Sequence, residues 1–373
     1  IAYQDDESRF YHRPEVKEQL WKAADFLQRH YQPSTHWHST EVTMPSSWLP
    51  GLLLMKTGDA HGFSRKDLLR FAELVPFNKT PKNGVNIIYV NQPNLFKAAI
   101  EENVDEMRAA FEAIAGVIRI MPGDEEGLKQ DYSWHQHEKL VYFQGYGNKA
   151  ITMSMAYYGL GEGTAFAFSE AAEGIISDYL LEGQQWAVHN GTYDYGVSGR
   201  GLADFPLDAD MLLTPMDQLI KSGVARSGEL EAFKAQYEGA PFPVPGNRHF
   251  WRSDMLVQRG PDWYLSIRNT SSRNVSTETI HGLNAKNGYL GVGSRCIMVS
   301  GNEYRDIFPA WDWSRLPGTT FESGKEFRTK RWVMYPPFEY AGGVSSGRNG
   351  LAVYNQDLGP EKKLHLRNVE AFR

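Results

Sequence analysis

The chain has 373 residues and a mass of 42.3 kDa, with 41% hydrophobic and 23% charged residues, enough for two or three globular cores. No apolar run reaches the ~18 residues of a membrane span, and the polar stretch Ile1 to Arg13 lacks an apolar signal region, so a signal peptide is absent or already removed. A net charge of −6 and a pI near 6.0 argue against nucleic acid as a partner, and a single cysteine, Cys296, excludes an intrachain disulfide framework and a thiolate zinc cluster.

From Val16 to Tyr31 the residues Leu20, Ala24, Leu27 and Tyr31 recur at helical spacing behind Pro14, a helix-start signal. The same pattern predicts helices over Ser64 to Leu74, Asn94 to Ile118, Lys149 to Tyr158, Ser169 to Trp186 and Pro215 to Tyr237, with little strand signal between them. This first part reads as an all-α layer. The stretch Gly239-Ala-Pro-Phe-Pro-Val-Pro-Gly246 cannot continue a helix, so a boundary is expected at 239–248. Beyond it, Met255 to Gln258 and Trp263 to Arg268 alternate around the turn signal Gly260-Pro261-Asp262, and glycine becomes frequent, as in antiparallel β structure. Lys362 to Arg373 reads as the start of another strand at which the chain stops, as if cut within a domain.

The chain contains no dinucleotide fingerprint, P-loop, nucleophile elbow or His-Glu-x-x-His motif. Cys296 lies in the apolar run Arg295 to Val299 and reads as a buried small hydrophobe. Two pairs, His36-Trp37-His38 and His135-Gln136-His137, could each present two imidazoles on one face of an extended segment, but no carboxylate stands at a familiar ligand spacing. The aromatic content, 13% with 10 Trp, 19 Tyr and 19 Phe, suits stacking on sugar faces as well as ordinary cores. The densest cluster is Asp131-Tyr-Ser-Trp-His-Gln-His137, followed by Tyr142 and Gly145-Tyr146-Gly147. A hydroxyl and an imidazole on one loop can transfer protons if a cation stabilises phenolate, and Arg200 in Ser198-Gly-Arg-Gly201 is a candidate cation. From these residues alone, structural and catalytic readings both stay open.

Nearly the whole chain resembles polysaccharide lyase family 8, which includes hyaluronate, chondroitin AC and xanthan lyases, with the chondroitin AC lyases nearest. Gly127 to His137 with Tyr146 resembles the family's catalytic loop, Gly84-Val85-Asn86 its asparagine motif and Ser198 to Gly201 its arginine motif. Phe308 to Thr320 and Tyr340 to Gly347 are similar to its β-domain motifs. The resemblance implies an incomplete α/α toroid over 1–240 followed by an antiparallel β-sandwich domain over 247–373, the latter reading as truncated. It further implies catalytic roles for Asn86, His137, Tyr146 and Arg200, and sugar stacking at Trp37 and at Trp311 or Trp313; Trp134 and His38 are added as substrate-binding candidates. The chain departs from the family at Asp204, where a second arginine is usual, at Leu283 in His281-Gly-Leu-Asn284, where an acid is usual, and at His38, which replaces a tryptophan.

The resemblance therefore implies a secreted or periplasmic lyase acting on a uronic-acid polysaccharide such as chondroitin or hyaluronan, with no cofactor, metal, nucleic acid or membrane partner. Asn86 and His137 would neutralise the uronate carboxylate, and Tyr146 would take the C5 proton, aided by Arg200 and His137, and return it to the leaving O4 oxygen. His137 is the alternative base for the opposite C5 configuration. The losses at Asp204 and Leu283 favour a sparsely charged polymer. The rivals are a non-catalytic carbohydrate-binding protein, a lyase for xanthan, alginate or glucuronan, and a metal-dependent hydrolase.

Overall fold

Pro14, whose missing N–H costs nothing at a helix start, opens helix α1 (Pro14–His30) in the computed structural model of the chain. The structure describes residues 1–203, 206–242, 245–280, 282–321, 333–334, 340–358 and 364–372. The chain forms two compact units, the first comprising Ile1–Lys82, Asn86–Gly116 and Gly163–Phe166. In it α1 is followed by α2 (Met44–Leu54), α3 (Arg65–Ala72), α4 (Asn86–Glu101) and α5 (Val104–Ala115). Leu49, Leu52, Phe63, Leu68, Phe71 and Ile100 meet in its core. The single helix expected over Asn94 to Ile118 is two helices. Glu102 takes a left-handed φ of 60°, and the Asn103 side chain caps α5 by accepting from Glu106 N at 3.1 Å. α2 escaped notice because Pro45 and Pro50 interrupt its pattern, although Pro45 stands in the first turn, where proline is tolerated.

The second unit comprises Asn83–Val85, Val117–Glu162 and Ala167–Arg373. Its helices are α6 (Asn148–Gly161), α7 (Glu170–Asp178), α8 (Leu213–Ser222) and α9 (Ser227–Ala235). The helix expected over Ser169 to Trp186 ends at Asp178 and continues as a wide turn over Tyr179–Gly183 and a tight one over Gln184–Ala187. That expected over Pro215 to Tyr237 breaks at Gly223, with φ 75°. The helical stretch also carries small sheets that the sequence reading lacked: β1 (Gly127–Leu128), β2 (Trp134–Gln136) and β3 (Leu140–Val141), then β4 (Val188–His189) with β5 (Thr192–Tyr193). Strands of two or three residues are too short for a period to register.

After Gly239 the structure turns to strands: β6 (Gly246–Phe250), β7 (Met255–Arg259), β8 (Tyr264–Arg268), β9 (Thr277–Glu278), β10 (Ser294–Met298), β11 (Val333–Met334), β12 (Ala341–Ser345), β13 (Gly350–Leu358) and β14 (Leu364–Phe372). The expected hairpin is present as β7–β8, with Arg259 opposite Tyr264. A four-stranded antiparallel sheet, β10-β8-β7-β6, packs Leu256 and Ile267 against Ala341, Ala352, Tyr354 and Phe372 of the three-stranded sheet β12-β13-β14. An N-terminal helical domain is thus followed by a C-terminal antiparallel sheet domain. The strand expected from Lys362 onward is β14, Leu364–Phe372, paired along its length with β13, and Cys296 is buried in β10.

Candidate active site

The loop after β2 brings a histidine and a tyrosine to one point by breaking regular backbone. His137 and Glu138 adopt φ of 51° and 69°, which turns His137 out of the strand that holds His135. His135 is fully buried, its Nε2 2.9 Å from Ser253 Oγ, and burial holds its pKa well below the usual histidine range. The two imidazoles therefore serve different partners and do not face a common ion. In the first unit, His36 and His38 have ring centroids 6.4 Å apart, and His38 Nδ1 meets Thr43 Oγ1 at 3.1 Å.

Tyr146 lies in the turn Phe143–Gly147. Gly145 has φ 85°, and a Cβ there would stand 2.9 Å from Tyr142 Cε1. Arg200 lies in the short turn Gly199–Ala203, entered through Gly199 at φ 51°, where a Cβ would fall 2.4 Å from Tyr142 Cζ. The Tyr142 ring thus fits between two backbones that only glycine can supply. Asn284 fixes the arginine turn by donating from Nδ2 to Gly199 O at 2.6 Å.

These segments assemble a compact cluster around Glu278, whose side chain is fully buried. His137 Nδ1 lies 2.5 Å from Glu278 Oε2, so Nδ1 carries a proton that the carboxylate accepts. Arg200 Nη1 donates to Glu278 Oε2 and Oε1 at 3.2 and 3.3 Å and passes 3.2 Å from His137 Nδ1. Its Nη2 donates to Tyr146 OH at 2.8 Å. The Tyr146 ring meets His137 edge-on at a centroid distance of 4.8 Å and Tyr142 at 4.9 Å.

Burial raises the Tyr146 pKa, Arg200 opposes it, and Glu278 raises it further; the net shift is upward. Arg200 thus acts toward phenolate, as expected, while burial and Glu278 act against it. Tyr142 is held well above the phenol range by burial and Glu278. Burial pulls the Arg200 pKa down, while Glu278, Tyr146 and Tyr142 raise it by more, so the guanidinium keeps its charge.

Of the remaining site candidates, Asn86 opens α4 in the first unit. The three residues before it, Asn83–Val85, belong to the second unit, where Val85 N–H donates to Gln136 Oε1 at 3.3 Å. Trp37 is 38% exposed, with Lys82 Nζ 4.1 Å over its ring and His38 edge-on at 5.3 Å. Trp311 and Trp313 join Tyr304 and Phe308 in an aromatic cluster. Trp313 also lines a cavity of about 1370 Å³ that is bordered by Leu202 of the arginine turn and by Asn284, which anchors that turn. Trp134 is a correction: it is fully buried, 5.9 Å from the Tyr179 ring, and has no face for a sugar. Asp204 and His281 lie outside the described residues. Leu283 is half-buried in a turn, its N–H donating to Ile280 O at 2.8 Å. Its change from an acid does not leave the site without one, because Glu278 supplies the carboxylate. The sequence reading missed Glu278, which stands in no local pattern, and quoted Asn284 only within His281-Gly-Leu-Asn284, without a role; the cationic Arg200 alone hinted that a counter-charge was needed.

Residues 1–205 match the N terminal alpha-helical domain of polysaccharide lyase family 8. The chain belongs to polysaccharide lyase family 8. Residues 245–371 match the family's super-sandwich domain. A chondroitinase-AC from Pedobacter heparinus is 26% identical over 372 residues, covering 95% of this chain and 52% of that protein. A hyaluronate lyase from Cutibacterium acnes is 23% identical over 309 residues, covering 73% of this chain and 38% of that protein. The chain therefore spans about half or less of the length of these relatives. Among solved structures, a chondroitinase AC lyase studied as oligosaccharide complexes superposes with a TM-score of 0.85 at 23% identity, over 95% of this chain and 54% of that one. A Streptomyces coelicolor chondroitin AC lyase in complex with chondroitin sulphate gives 0.82 at 17%, over 100% of this chain and 58% of that one. Among the described residues, no helix is long and apolar enough to cross a membrane.

Proposed function

We propose that the chain carries the catalytic centre of a lyase that cleaves a uronic-acid polysaccharide, a glycosaminoglycan such as chondroitin or hyaluronan, by β-elimination. The observation that carries this reading is the cluster in which Tyr146 OH meets the Arg200 guanidinium at 2.8 Å, while one buried carboxylate, Glu278, binds both Arg200 and His137. Family membership and relatives named as chondroitinase and hyaluronate lyase support the substrate class.

Elimination takes a proton from C5 of the uronate, forms the C4–C5 double bond with the released electron pair, and breaks the C4–O4 bond. One proton leaves and one is delivered to O4, so no water is consumed. Tyr146 accepts the C5 proton and passes it to O4. Arg200 stabilises the phenolate that takes the C5 proton and that forms again once the proton has passed to O4. Asn86 and His137 hydrogen-bond the uronate carboxylate and lower the cost of the enolate-like intermediate. Glu278 holds His137 in one orientation, much as a carboxylate holds the histidine of a serine hydrolase. Trp37, Trp313 and Trp311 stack on sugar rings, with His38 beside Trp37. The polymeric substrate calls for action outside the cytoplasm, in a secreted or periplasmic setting.

The test uses ultraviolet absorbance of the unsaturated uronate on hyaluronan, chondroitin, xanthan, alginate and glucuronan. Tyr146→Phe keeps the ring and removes the proton carrier, so turnover is expected to fall by orders of magnitude with polymer affinity little changed. Binding with no rise in absorbance from the unaltered chain would instead make it a non-catalytic carbohydrate-binding protein.

A further inference from the structure

The strand β8 presents Tyr264, Ser266 and Arg268 on one face, because alternate residues of a strand point the same way. All three side chains are buried, and all three engage the turn at Asp194–Gly196. Asp194, 1% exposed, accepts from Tyr264 OH at 2.9 Å, from Gly196 N at 2.6 Å and from Ser266 Oγ. Arg268, 2% exposed, donates from Nη1 to Gly196 O at 2.6 Å. On its other side, Nη2 donates to Ser276 O at 2.7 Å and Val275 O at 3.2 Å. One planar guanidinium thus spans two backbone segments. Arg200 lies a few residues after Gly196, and Glu278 lies just after Ser276.

A guanidinium buried this deeply needs a counter-charge, and Asp194 provides one. Burial lowers the Arg268 pKa to about 10, with Asp194 acting against the fall, so the group remains a cation at neutral pH. The reaction assigns no contact with substrate to either residue. Their hydrogen bonds join the two strings of backbone that carry Arg200 and Glu278, whose side chains meet at 3.2–3.3 Å.

We propose that Arg268 is a positioning residue for the elimination reaction: by bridging Gly196 O to the carbonyls of Val275 and Ser276, it sets the register in which Arg200 meets Glu278 and Tyr146. The inference rests on the lyase reading above. It assigns a catalytic consequence to a side chain with no access to the polymer.

Arg268→Lys tests it, because lysine keeps the charge beside Asp194 but replaces a rigid planar fork by a single point donor that cannot span both segments. The expected result is a fall in kcat of ~10–100-fold with KM within about twofold, since polymer contacts are untouched. The alkaline-rising limb of the rate against pH should move to higher pH, because Tyr146 loses part of the support of Arg200. Amide hydrogen exchange should accelerate at 195–200 and at 275–278 together, with the cooperative unfolding transition retained. Turnover of Arg268→Ala should recover in part with added guanidinium ion at concentrations that leave the parent rate unchanged.

An Arg268→Lys variant with unchanged kcat and an unmoved pH limb overturns the proposal. So does one whose lost turnover tracks a lost unfolding transition, which assigns the residue to folding alone. If the unaltered chain yields no unsaturated product from any polymer, the lyase reading fails instead. The exchange measurement then decides the bridge by itself: unchanged protection of both segments in Arg268→Lys overturns it.

Discussion

Replacing Arg200 by glutamine removes a cation while keeping an amide donor of similar reach. In the parent chain the guanidinium nitrogen lies 2.8 Å from Tyr146 OH, which puts the centre of its charge somewhat farther away. A unit charge at about 4 Å is worth about 4 kcal/mol to a phenolate at an effective dielectric of 20. The Arg200 side chain is 21% exposed, so solvent screens part of that interaction. Halving the value gives a lower bound of about 2 kcal/mol, and at 1.36 kcal/mol per unit the range becomes about 1.5–3 units on the Tyr146 pKa. Glu278 remains in the variant and goes on pushing the phenol upward. Below the pKa, each unit lowers the phenolate fraction tenfold, so the rate near neutral pH should fall about 30- to 1000-fold. The assay is the initial rate of absorbance rise between about pH 6 and about pH 10. Because the parent Tyr146 pKa is already above the usual phenol value of 10, its own rate should still be climbing tenfold per unit at about pH 8. In Arg200→Gln the limb should keep its slope and move to higher pH. A rate lowered equally at every pH, with the limb unmoved, would refute the idea that Arg200 acts by stabilising phenolate.

Other outcomes follow from the packing. Gly199→Ala should cost about 1–2 kcal/mol in urea unfolding and lower kcat more than it changes KM, because its Cβ meets Tyr142 Cζ at 2.4 Å in a left-handed backbone and displaces the neighbouring Arg200. Trp134→Ala should destabilise by about 3–5 kcal/mol and leave polymer affinity of the folded fraction unchanged, whereas Trp37→Ala should weaken polymer binding with little effect on unfolding. Burial pushes the Cys296 thiol well up, so a thiol reagent should label it only at the rate of unfolding.

The elements that could be read from sequence are those whose signals are local. α1 carries its start signal in Pro14 and buries Ala24 on the expected face. The β7–β8 hairpin follows from alternation on both sides of a proline- and glycine-bearing turn. Where the reading ran helices together, the break was made by one backbone angle. Gly223 could have marked such a break, since glycine past a helical run is a usual stop. Glu102 could not, because glutamate is a good helix former and takes its left-handed φ only in the folded context.

The site divides along the same line. Tyr146 between two glycines is a local feature, and its place in the turn follows from the space that those glycines leave for Tyr142 and Tyr179. Glu278 has no such mark. Its neighbours Thr277 and Thr279 would suit any strand, and a glutamate there reads as solvated. Yet charge itself carried a clue. An arginine expected to sit in a cleft beside a histidine and a phenol cannot be desolvated alone at an acceptable cost, so a carboxylate had to come from somewhere in the chain. The same demand repeats deeper in the fold, where Arg268 is buried and Asp194 answers it. In both cases the cation stands beside glycine or in a strand where pattern can find it, and the acid is supplied by a distant segment. Pairing each buried cation with a required anion turns an unreadable residue into a short search among the acids, as Arg200 with Glu278 and Arg268 with Asp194 both illustrate.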